Sequence, residues 1–361
     1  MKIAFDPFIF AMQEHGGVSR VHARLAAGMA EAGHEVRILS PLYTNAYLSD
    51  LPAGLVRGRR LAMSRHASRI ARLAGDLLLA PQLALFQPDI VQDCFYSPAV
   101  QPPRGSRLVV MVHDMIHELF PQHFPADDRT AARKAAAIAR ADHILCISES
   151  TRADLLARFP DVAAKTSVTL LAVDQPQIPI MRNAPARPFL LHVGQRGGYK
   201  NFSALLSAYA ASPLLHDSHD LLAVGGGAFT PAEQAAIVSH SLAGKVHQRG
   251  ADDGQLRQLY ADAALFVFPS LYEGFGMPPL EAMTVGTPVV VVQASAMPEI
   301  CGDAAEYAEN GDAEALRAAI EALLLSPTRQ AELAAAGQQR LAKFRWQRTT
   351  GDVLAAYQRL V

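Results

Sequence analysis

The chain has 361 residues, of which 50% are hydrophobic, and this is enough for two α/β domains of ordinary size. Its 33 basic and 34 acidic residues nearly cancel, so the net charge gives no argument for binding nucleic acid. The three separated cysteines, Cys94, Cys146 and Cys301, indicate a reducing compartment without disulfides. The sequence shows no signal-peptide pattern and no apolar run approaching the ~20 residues of a membrane span, which predicts a cytoplasmic protein.

Apolar runs alternate with amphipathic segments along the chain, which predicts mostly parallel sheets covered by helices. In the first half the predicted strands are KIAFDPFIF, HEVRILS, DIVQDC, RLVVMVHD, HILCIS and VTLLAVD. In the second half they are FLLHVG, DLLAVGG, KVHQRG, AALFVFPS and TPVVVV. Residues 175–188, rich in proline and polar residues, are predicted to link a domain over residues 1–174 to a domain over residues 189–344. Two doubly wound domains imply a cleft at the carboxyl ends of their strands.

The most informative segment is FVFPSLYEGFGMPPLEAMTVGTPVVVV, residues 266–292. It predicts a buried strand, a Gly- and Pro-rich loop, a short helix and a second strand. Gly274 and Gly276 leave the backbone amides accessible to a ligand, and Pro279 suits the first turn of the helix. Amides and a helix N-terminus together favour a bound phosphate.

Two glutamates lie in this segment, Glu273 before the predicted helix and Glu281 just inside it. Since carboxylates repel phosphate, we assign them to sugar hydroxyls. The alternative is that Glu281 only stabilises the first turn through the helix dipole, which leaves Glu273 unexplained. The motif FPSLYEGFGMPPLEAM, with its Glu-x7-Glu spacing, resembles the hallmark of the retaining glycosyltransferases of family GT4, which have the GT-B fold.

This resemblance covers essentially the whole chain. It implies an α/β GT-B fold, with two Rossmann-like doubly wound domains facing each other across a cleft. The donor, a nucleotide diphosphate sugar, would bind mainly to the C-terminal domain and the acceptor mainly to the N-terminal domain. In the family a final helix crosses back onto the N-terminal domain, and residues 345–361 are expected to do the same.

The resemblance also implies roles for individual residues. Glu281 would hold the ribose hydroxyls and Glu273 the hydroxyls of the donor sugar. The backbone amides of Gly274, Phe275 and Gly276 would bind the diphosphate.

A second motif, LLHVGQRGGYKNF, follows the first strand of the second half and contains Gly194, Arg196 and Lys200. Two cations in a Gly-rich loop can neutralise a departing pyrophosphate without a metal, and the family places an Arg and a Lys here. The alternative is a pair of ordinary surface cations near a turn. The chain has no Asp-x-Asp motif of the kind that holds a divalent ion over a diphosphate. We therefore predict a metal-independent enzyme without a cofactor.

His113 and Asp114 end the predicted strand RLVVMVHD. In the family this His contacts the donor sugar near the reacting centre, and Asp114 would lie on the acceptor side. A core histidine is one alternative. A zinc site with His117 is another, but the segment supplies no third ligand.

The N-terminal segment FDPFIF…GGVSR contains Gly16, Gly17 and Arg20, where a helix is predicted to begin. We assign Gly17 to the donor and Gly16 and Arg20 to the acceptor side. A plain tight turn is the alternative. An NAD site is disfavoured because no acidic residue ends the second strand. The segment resembles the start of bacterial mannosyl- and rhamnosyltransferases of surface polysaccharides.

Four further residues also fit family positions: Ser148, Glu149, Asp174 and Glu299. Ser148 is better explained as a helix N-cap, and Glu299 could equally be a surface residue.

The segment VRGRRLAMSRHASRIARLAGDLL, residues 56–78, predicts a basic amphipathic helix. Arg65, Arg69 and Arg72 share one face of this helix. A second face carries Met63, Ile70, Leu73 and Leu77. Packing of the helix on its own domain is the favoured interpretation. The alternative is peripheral contact with the inner face of a membrane through the three arginines.

These expectations combine into a retaining, metal-independent transfer of a hexose onto a growing bacterial glycan such as O-antigen or exopolysaccharide. Mannose or rhamnose from a GDP-sugar is favoured, only on the N-terminal resemblance. A UDP-glucose- or UDP-N-acetylglucosamine-dependent transferase and a sugar-nucleotide epimerase of GT-B fold remain as alternatives. The sequence offers no well-supported general base.

Overall fold

The computed structural model describes residues 1–176 and 180–361. The chain divides into two compact units, of which the first comprises Met1–Leu171 and Trp346–Val361 and the second Ala172–Arg345. Each unit is built on one six-stranded parallel sheet.

The first unit has eight described strands and six helices before residue 172. Its strands are β1 (Lys2–Phe5), β2 (Glu35–Ile38), β3 (Leu42–Tyr43), β4 (Arg59–Arg60), β5 (Ile90–Asp93), β6 (Arg107–Val112), β7 (His143–Cys146) and β8 (Thr166–Val168). Its helices are α1 (Phe8–Met12), α2 (Gly17–Glu31), α3 (Arg65–Phe86), α4 (Ile116–Leu119), α5 (Thr130–Arg140) and α6 (Glu149–Arg158). The main sheet has the order β2-β1-β5-β6-β7-β8, and β3 and β4 pair separately. Strand β6 buries every side chain after Arg107, as expected for a parallel sheet covered on both faces.

The second unit has the strand order β11-β10-β9-β12-β13-β14, which is that of dinucleotide-binding folds. Its strands are β9 (Phe189–Val193), β10 (Asp220–Val224), β11 (Val246–Arg249), β12 (Leu265–Phe268), β13 (Val289–Val292) and β14 (Glu306–Ala308). Its helices are α7 (Phe202–Ala210), α8 (Pro213–Ser218), α9 (Pro231–Ser239), α10 (Asp253–Asp262), α11 (Met277–Thr284), α12 (Met297–Cys301), α13 (Ala313–Leu324) and α14 (Pro327–Arg340). The order reverses between β9 and β12, and ligands bind at such a switch point.

The last helix, α15 (Trp346–Gln358), belongs to the first unit and packs against α2. The two helices approach closely at Gly28, where an added Cβ would lie 2.7 Å from Thr350 Oγ1. The hydroxyl of buried Tyr357 donates a hydrogen bond to Gln92 Oε1 at 2.6 Å, which anchors α15 to strand β5.

Two predicted strands are wrong in part. KIAFDPFIF is a strand only to Phe5 and then forms α1, because the Asp6 carboxylate accepts hydrogen bonds from the amides of Phe8, at 2.8 Å, and Cys94, which turns the chain. VTLLAVD is extended in a sheet only to Val168. Beyond it, the Leu170 carbonyl accepts a hydrogen bond from Thr349 Oγ1 of α15 at 2.8 Å.

The described part of the predicted linker, residues 175–176 and 180–188, contains no helix or strand, and residues 177–179 of that prediction lie outside the described residues. The boundary between the units falls between Leu171 and Ala172. Within residues 1–176 and 180–361, no helix is both long enough and apolar enough to span a bilayer.

Candidate active site

Lys200 and Glu273 meet at the switch point of the second unit. Lys200 ends a short 3-10 turn after β9, and Glu273 lies in the loop between β12 and α11. The Lys200 Nζ donates a hydrogen bond to Glu273 Oε1 at 2.6 Å, and the two side chains are only 19% and 12% exposed. The loops are also joined by the amide of Leu271, which donates to the Tyr199 carbonyl at 2.9 Å. The structure therefore places a cation and a carboxylate side by side where this fold receives a ligand.

The Gly-rich loop after Glu273 leads directly into α11. Gly276 is the N-cap residue of this helix and has a φ of 103°, which favours glycine. An added Cβ would lie 2.3 Å from Met297 Cε, so the end of the Met297 side chain would have to move. Phe275 is buried and makes an edge-to-face contact with Phe344, with ring centroids 5.8 Å apart. Gly274 is buried beside it. The N-terminus of α11 is thus held rigidly next to Glu273.

Glu281 lies just beyond the first turn of α11, in which the helix-dipole interpretation would place it. It is the fifth residue of the helix, whose first turn contains no acidic residue. Its Oε2 accepts a hydrogen bond from the hydroxyl of buried Tyr260 at 3.1 Å. The dipole alternative is therefore wrong, because the stabilisation is confined to the first turn.

Arg196 is directed to a different partner from Lys200. Its buried guanidinium donates from Nε to Glu233 Oε1 at 2.7 Å and from Nη1 to the Gly225 carbonyl at 2.7 Å. Nη2 donates to the carbonyls of Gly227 and Ala228 at 3.1 and 2.9 Å. The group also lies 5.0 Å from the ring centroid of Phe229. The alternative of an ordinary surface cation is wrong for Arg196. Contact with a diphosphate, which stays a prediction, would require exchange of these partners.

Sequence reasoning missed Glu233. Its side chain also completes a capping box with Thr230 at the start of α9, which the spacing Thr-x-x-Glu could have revealed. Its pairing with Arg196 depends on tertiary structure. Gly194, which follows β9, has a φ of 129° and donates its amide hydrogen to the Val224 carbonyl at 2.9 Å.

In the first unit, His113 follows β6 and is buried against His22 of α2. The two Nε2 atoms are 3.3 Å apart. Burial, together with the charge of Lys134, lowers the pKa of His113 to about 3, and burial also lowers the pKa of His22 well below its usual value. Both imidazoles are therefore neutral at physiological pH, and His113 is poorly matched to the task of a general base. Nothing in the sequence pattern singled out His22.

Asp114 lies in the loop after β6, next to Lys134, and His117 is the second residue of α4. The wholly buried Lys134 donates to the Asp114 carbonyl at 2.7 Å and to Glu118 Oε2 at 2.8 Å. Asp114 Oδ1 accepts from the amide of Ile116 at 3.1 Å. The ring of His117 stacks on Phe124, with centroids 3.9 Å apart. His113 and His117 thus have different partners, and the described part of the chain contains no group of three or more His, Cys, Asp or Glu residues that could hold a metal.

Gly16 and Gly17 begin α2, as N-cap and first helical residue. An added Cβ on Gly16 would lie 2.2 Å from Gln13 Oε1, whereas one on Gly17 would meet no atom within 4 Å. The amide of Arg20 donates to the Gly16 carbonyl at 3.0 Å, in the first turn. The donor and acceptor roles of these three residues stay predictions.

The remaining candidates are placed as follows. Ser148 caps α6, with its Oγ accepting from the Thr151 amide at 3.0 Å, as the capping interpretation predicts. Glu149 lies in the first turn of the same helix. Asp174 lies outside any helix or strand, and Glu299 is in the first turn of α12, with its carbonyl accepting from Arg340 Nη2.

Each of the two units matches a model of a known protein family. Residues 15–175 match the family described as Glycosyltransferase Family 4, and residues 175–340 match Glycosyl transferases group 1. The chain belongs to glycosyltransferase family 4. The O-antigen chain mannosyltransferase B of Escherichia coli is 27% identical to this glycosyltransferase, over the full length of both chains.

A second relative is a GDP-mannose-dependent alpha-(1-6)-phosphatidylinositol dimannoside mannosyltransferase from Mycobacterium tuberculosis. It is 26% identical over 94% of this chain and 92% of its own. Among solved structures, the sucrose-phosphate synthase of Thermosynechococcus elongatus covers 99% of this chain and 98% of its own, with a TM-score of 0.78 and 19% identity. The fold of this glycosyltransferase is GT-B, with two Rossmann-like units.

Proposed function

We propose that this family 4 glycosyltransferase transfers mannose from GDP-mannose, with retention of the anomeric configuration and without a metal ion, to a hydroxyl of a bacterial surface glycan such as O-antigen. The pairing of Lys200 with Glu273 at the switch point carries the proposal. It places a cation suited to a diphosphate beside a carboxylate suited to sugar hydroxyls. The names of the two mannosyltransferase relatives favour GDP-mannose and an O-antigen acceptor.

In the proposed reaction Glu273 accepts hydrogen bonds from the mannose hydroxyls and Glu281 from the ribose hydroxyls. Lys200 and the amides around Gly276 bind the diphosphate and stabilise its charge as the bond between C1 and the phosphate oxygen breaks. The acceptor hydroxyl attacks C1 on the same face, and its proton passes to the leaving phosphate oxygen. The products are GDP and the mannosylated acceptor. Neutral His113 is suited to hydrogen bonding with the sugar and not to removing that proton.

Binding of nucleotides in the presence of a chelator tests this proposal. GDP, UDP, ADP and dTDP are each added to the protein with excess EDTA, and thermal unfolding is recorded. A ligand at ~100 times its Kd adds about 2.7 kcal/mol to native stability, which raises the Tm by several degrees. We expect the largest rise with GDP. A rise in Tm with UDP alone would indicate a UDP-sugar as the donor. No rise in Tm with any nucleotide would contradict the proposed donor site.

We further propose that α3 contacts an anionic membrane surface, where a lipid-linked acceptor would be met. The sequence favoured packing of this helix on its own domain, and α3 does contact α1 and β3 of the first unit. It packs there through Ala71, Gly75, Leu79, Leu83 and Phe86. The predicted apolar face is exposed, with Ile70 at 54%, Leu73 at 61% and Leu77 at 68% exposure.

Charge favours a lipid surface as the partner of this face. Residues 56–86 contain six arginines and one acidic residue, Asp76. Arg65 and Arg69 are exposed, and Arg72 is half-buried. A helix with exposed leucines flanked by arginines is suited to the boundary between acyl chains and anionic headgroups.

Vesicle sedimentation tests this contact. Changing Arg65, Arg69 and Arg72 together to Glu should weaken binding to phosphatidylglycerol vesicles by at least about 100-fold, since each basic residue near such a surface contributes about 1 kcal/mol and each new carboxylate is repelled. The matched control changes exposed Arg104, Arg129 and Arg158 of the same unit to Glu and should bind like the parent. Equal losses in both variants, or no binding by the parent protein, would refute the contact.

A further inference from the structure

Ser295 has an unusual backbone conformation in the loop between β13 and α12. Its φ is 47°, in the left-handed region that serine rarely adopts. Two other described non-glycine residues with positive φ, Gln87 and Asn201, are C-cap residues, where this conformation is common. Ser295 ends no helix, so its conformation needs a different explanation.

The hydroxyl of Ser295 forms hydrogen bonds with both the amide and the carbonyl of Glu273. Its Oγ accepts a hydrogen bond from the Glu273 amide at 2.8 Å and donates one to the Glu273 carbonyl at 3.1 Å. Because the amide and carbonyl flank the same Cα, the two bonds together fix the direction in which the side chain of Glu273 leaves the backbone. That side chain ends on Lys200 Nζ.

We infer that Ser295 is a positioning residue for Glu273. It adopts the left-handed conformation because this brings its hydroxyl onto the backbone of the carboxylate that receives the donor sugar. Strained residues persist where surrounding contacts over-determine them, and they cluster at functional sites. The inference rests on the proposed function of Glu273, whereas the hydroxyl–backbone contact itself does not.

Two substitutions of Ser295 distinguish the effect of losing the hydroxyl from the effect of relieving the backbone strain. Ser295→Gly removes the hydroxyl and relieves the strain, because glycine adopts positive φ without a steric penalty. Ser295→Ala removes the same hydroxyl and keeps the strain. If Ser295 acts by positioning Glu273, both variants should lose function alike. The Tm of the Gly variant should nevertheless equal or exceed that of the Ala variant.

The readouts are binding, transfer and amide exchange. In both variants we expect the affinity for GDP-mannose and the transfer rate to fall by about 10- to 100-fold, since small misplacements at a reacting centre have effects of this size. The affinity for GDP alone should stay within twofold of the parent value, because Glu273 is assigned to the sugar. Hydrogen exchange at the Glu273 amide should be faster in both variants.

A purely structural role of Ser295 makes a different prediction. Function would then follow stability, so that Ser295→Gly would keep the parent affinity and transfer rate, and this result would overturn the inference. Unchanged exchange at the Glu273 amide would overturn it as well. If the parent protein bound no sugar nucleotide, the proposed function would fail, and amide exchange would still decide whether Ser295 holds Glu273.

Discussion

Replacing Lys200 by methionine is expected to lower kcat for sugar transfer by about 10²- to 10³-fold, which is the usual effect of removing one preorganised group that stabilises developing charge. Lys200 is the cation that the structure brings to the switch point, 2.6 Å from Glu273. Methionine keeps the length of the side chain and removes the charge. The change should affect kcat more than the KM for GDP-mannose, because negative charge develops on the leaving phosphate mainly in the transition state.

A surface lysine of the same unit provides the control. Lys245 pairs with exposed Asp217 at 3.0 Å, far along the chain from the switch-point loops. Lys245→Met should leave the transfer rate unchanged, since exposed ion pairs contribute little. Equal rates for the parent protein and Lys200→Met would contradict the role assigned to Lys200.

Replacing Arg196 by methionine is expected to lower the stability of the protein, in contrast to the effect of Lys200→Met on kcat. The variant would remove the cation that pairs with the Glu233 carboxylate. It would also remove the hydrogen-bond donor shared by the carbonyls of Gly225, Gly227 and Ala228. Removing one partner of a buried ion pair costs about 3–5 kcal/mol. For a unit of this size that corresponds to a fall in Tm of roughly 6 to 20 °C.

The double variant Arg196→Met/Glu233→Gln is the matched test of the cause. Glutamine removes the stranded charge and keeps an oxygen for the capping box of α9. The double variant should therefore be more stable than Arg196→Met alone. A loss of transfer without any loss of Tm in Arg196→Met would assign Arg196 to the diphosphate, as the family motif implies, and would contradict the structural role.

The difference between Lys200 and Arg196 shows what the sequence could predict. The motif GQRGGYKN marks both cations as candidates for one ligand. The position of Lys200 beside Glu273 follows from topology, since loops after adjacent parallel strands β9 and β12 meet at one edge of the sheet. The direction of Arg196 could not be predicted, because Glu233 is 37 residues away and lies on a different helix.

Tertiary contacts also explain the errors in the first unit. KIAFDPFIF has the composition of a strand, but the Asp6 carboxylate binds the amides of Phe8 and Cys94 and starts α1. For α3 the predicted packing on its own domain is confirmed, but the sequence did not indicate which face makes the contact, and Met63 lies before the helix begins. The small residues Ala71 and Gly75 allow α3 to approach its own unit, where an added Cβ at Gly75 would lie 2.9 Å from Pro7 Cγ. This leaves the leucines of the apolar face in solvent.

One measurement tests the proposed function most directly. The protein is incubated with GDP-mannose labelled with ¹³C at C1, lipid-linked glycan from bacterial membranes and excess EDTA, and the anomeric carbon of the product is examined by NMR. Retaining, metal-independent transfer predicts an α-linked mannoside, formed at the same rate with and without EDTA. A β-linked product, loss of transfer on chelation, or consumption of a UDP-sugar in place of GDP-mannose would contradict it.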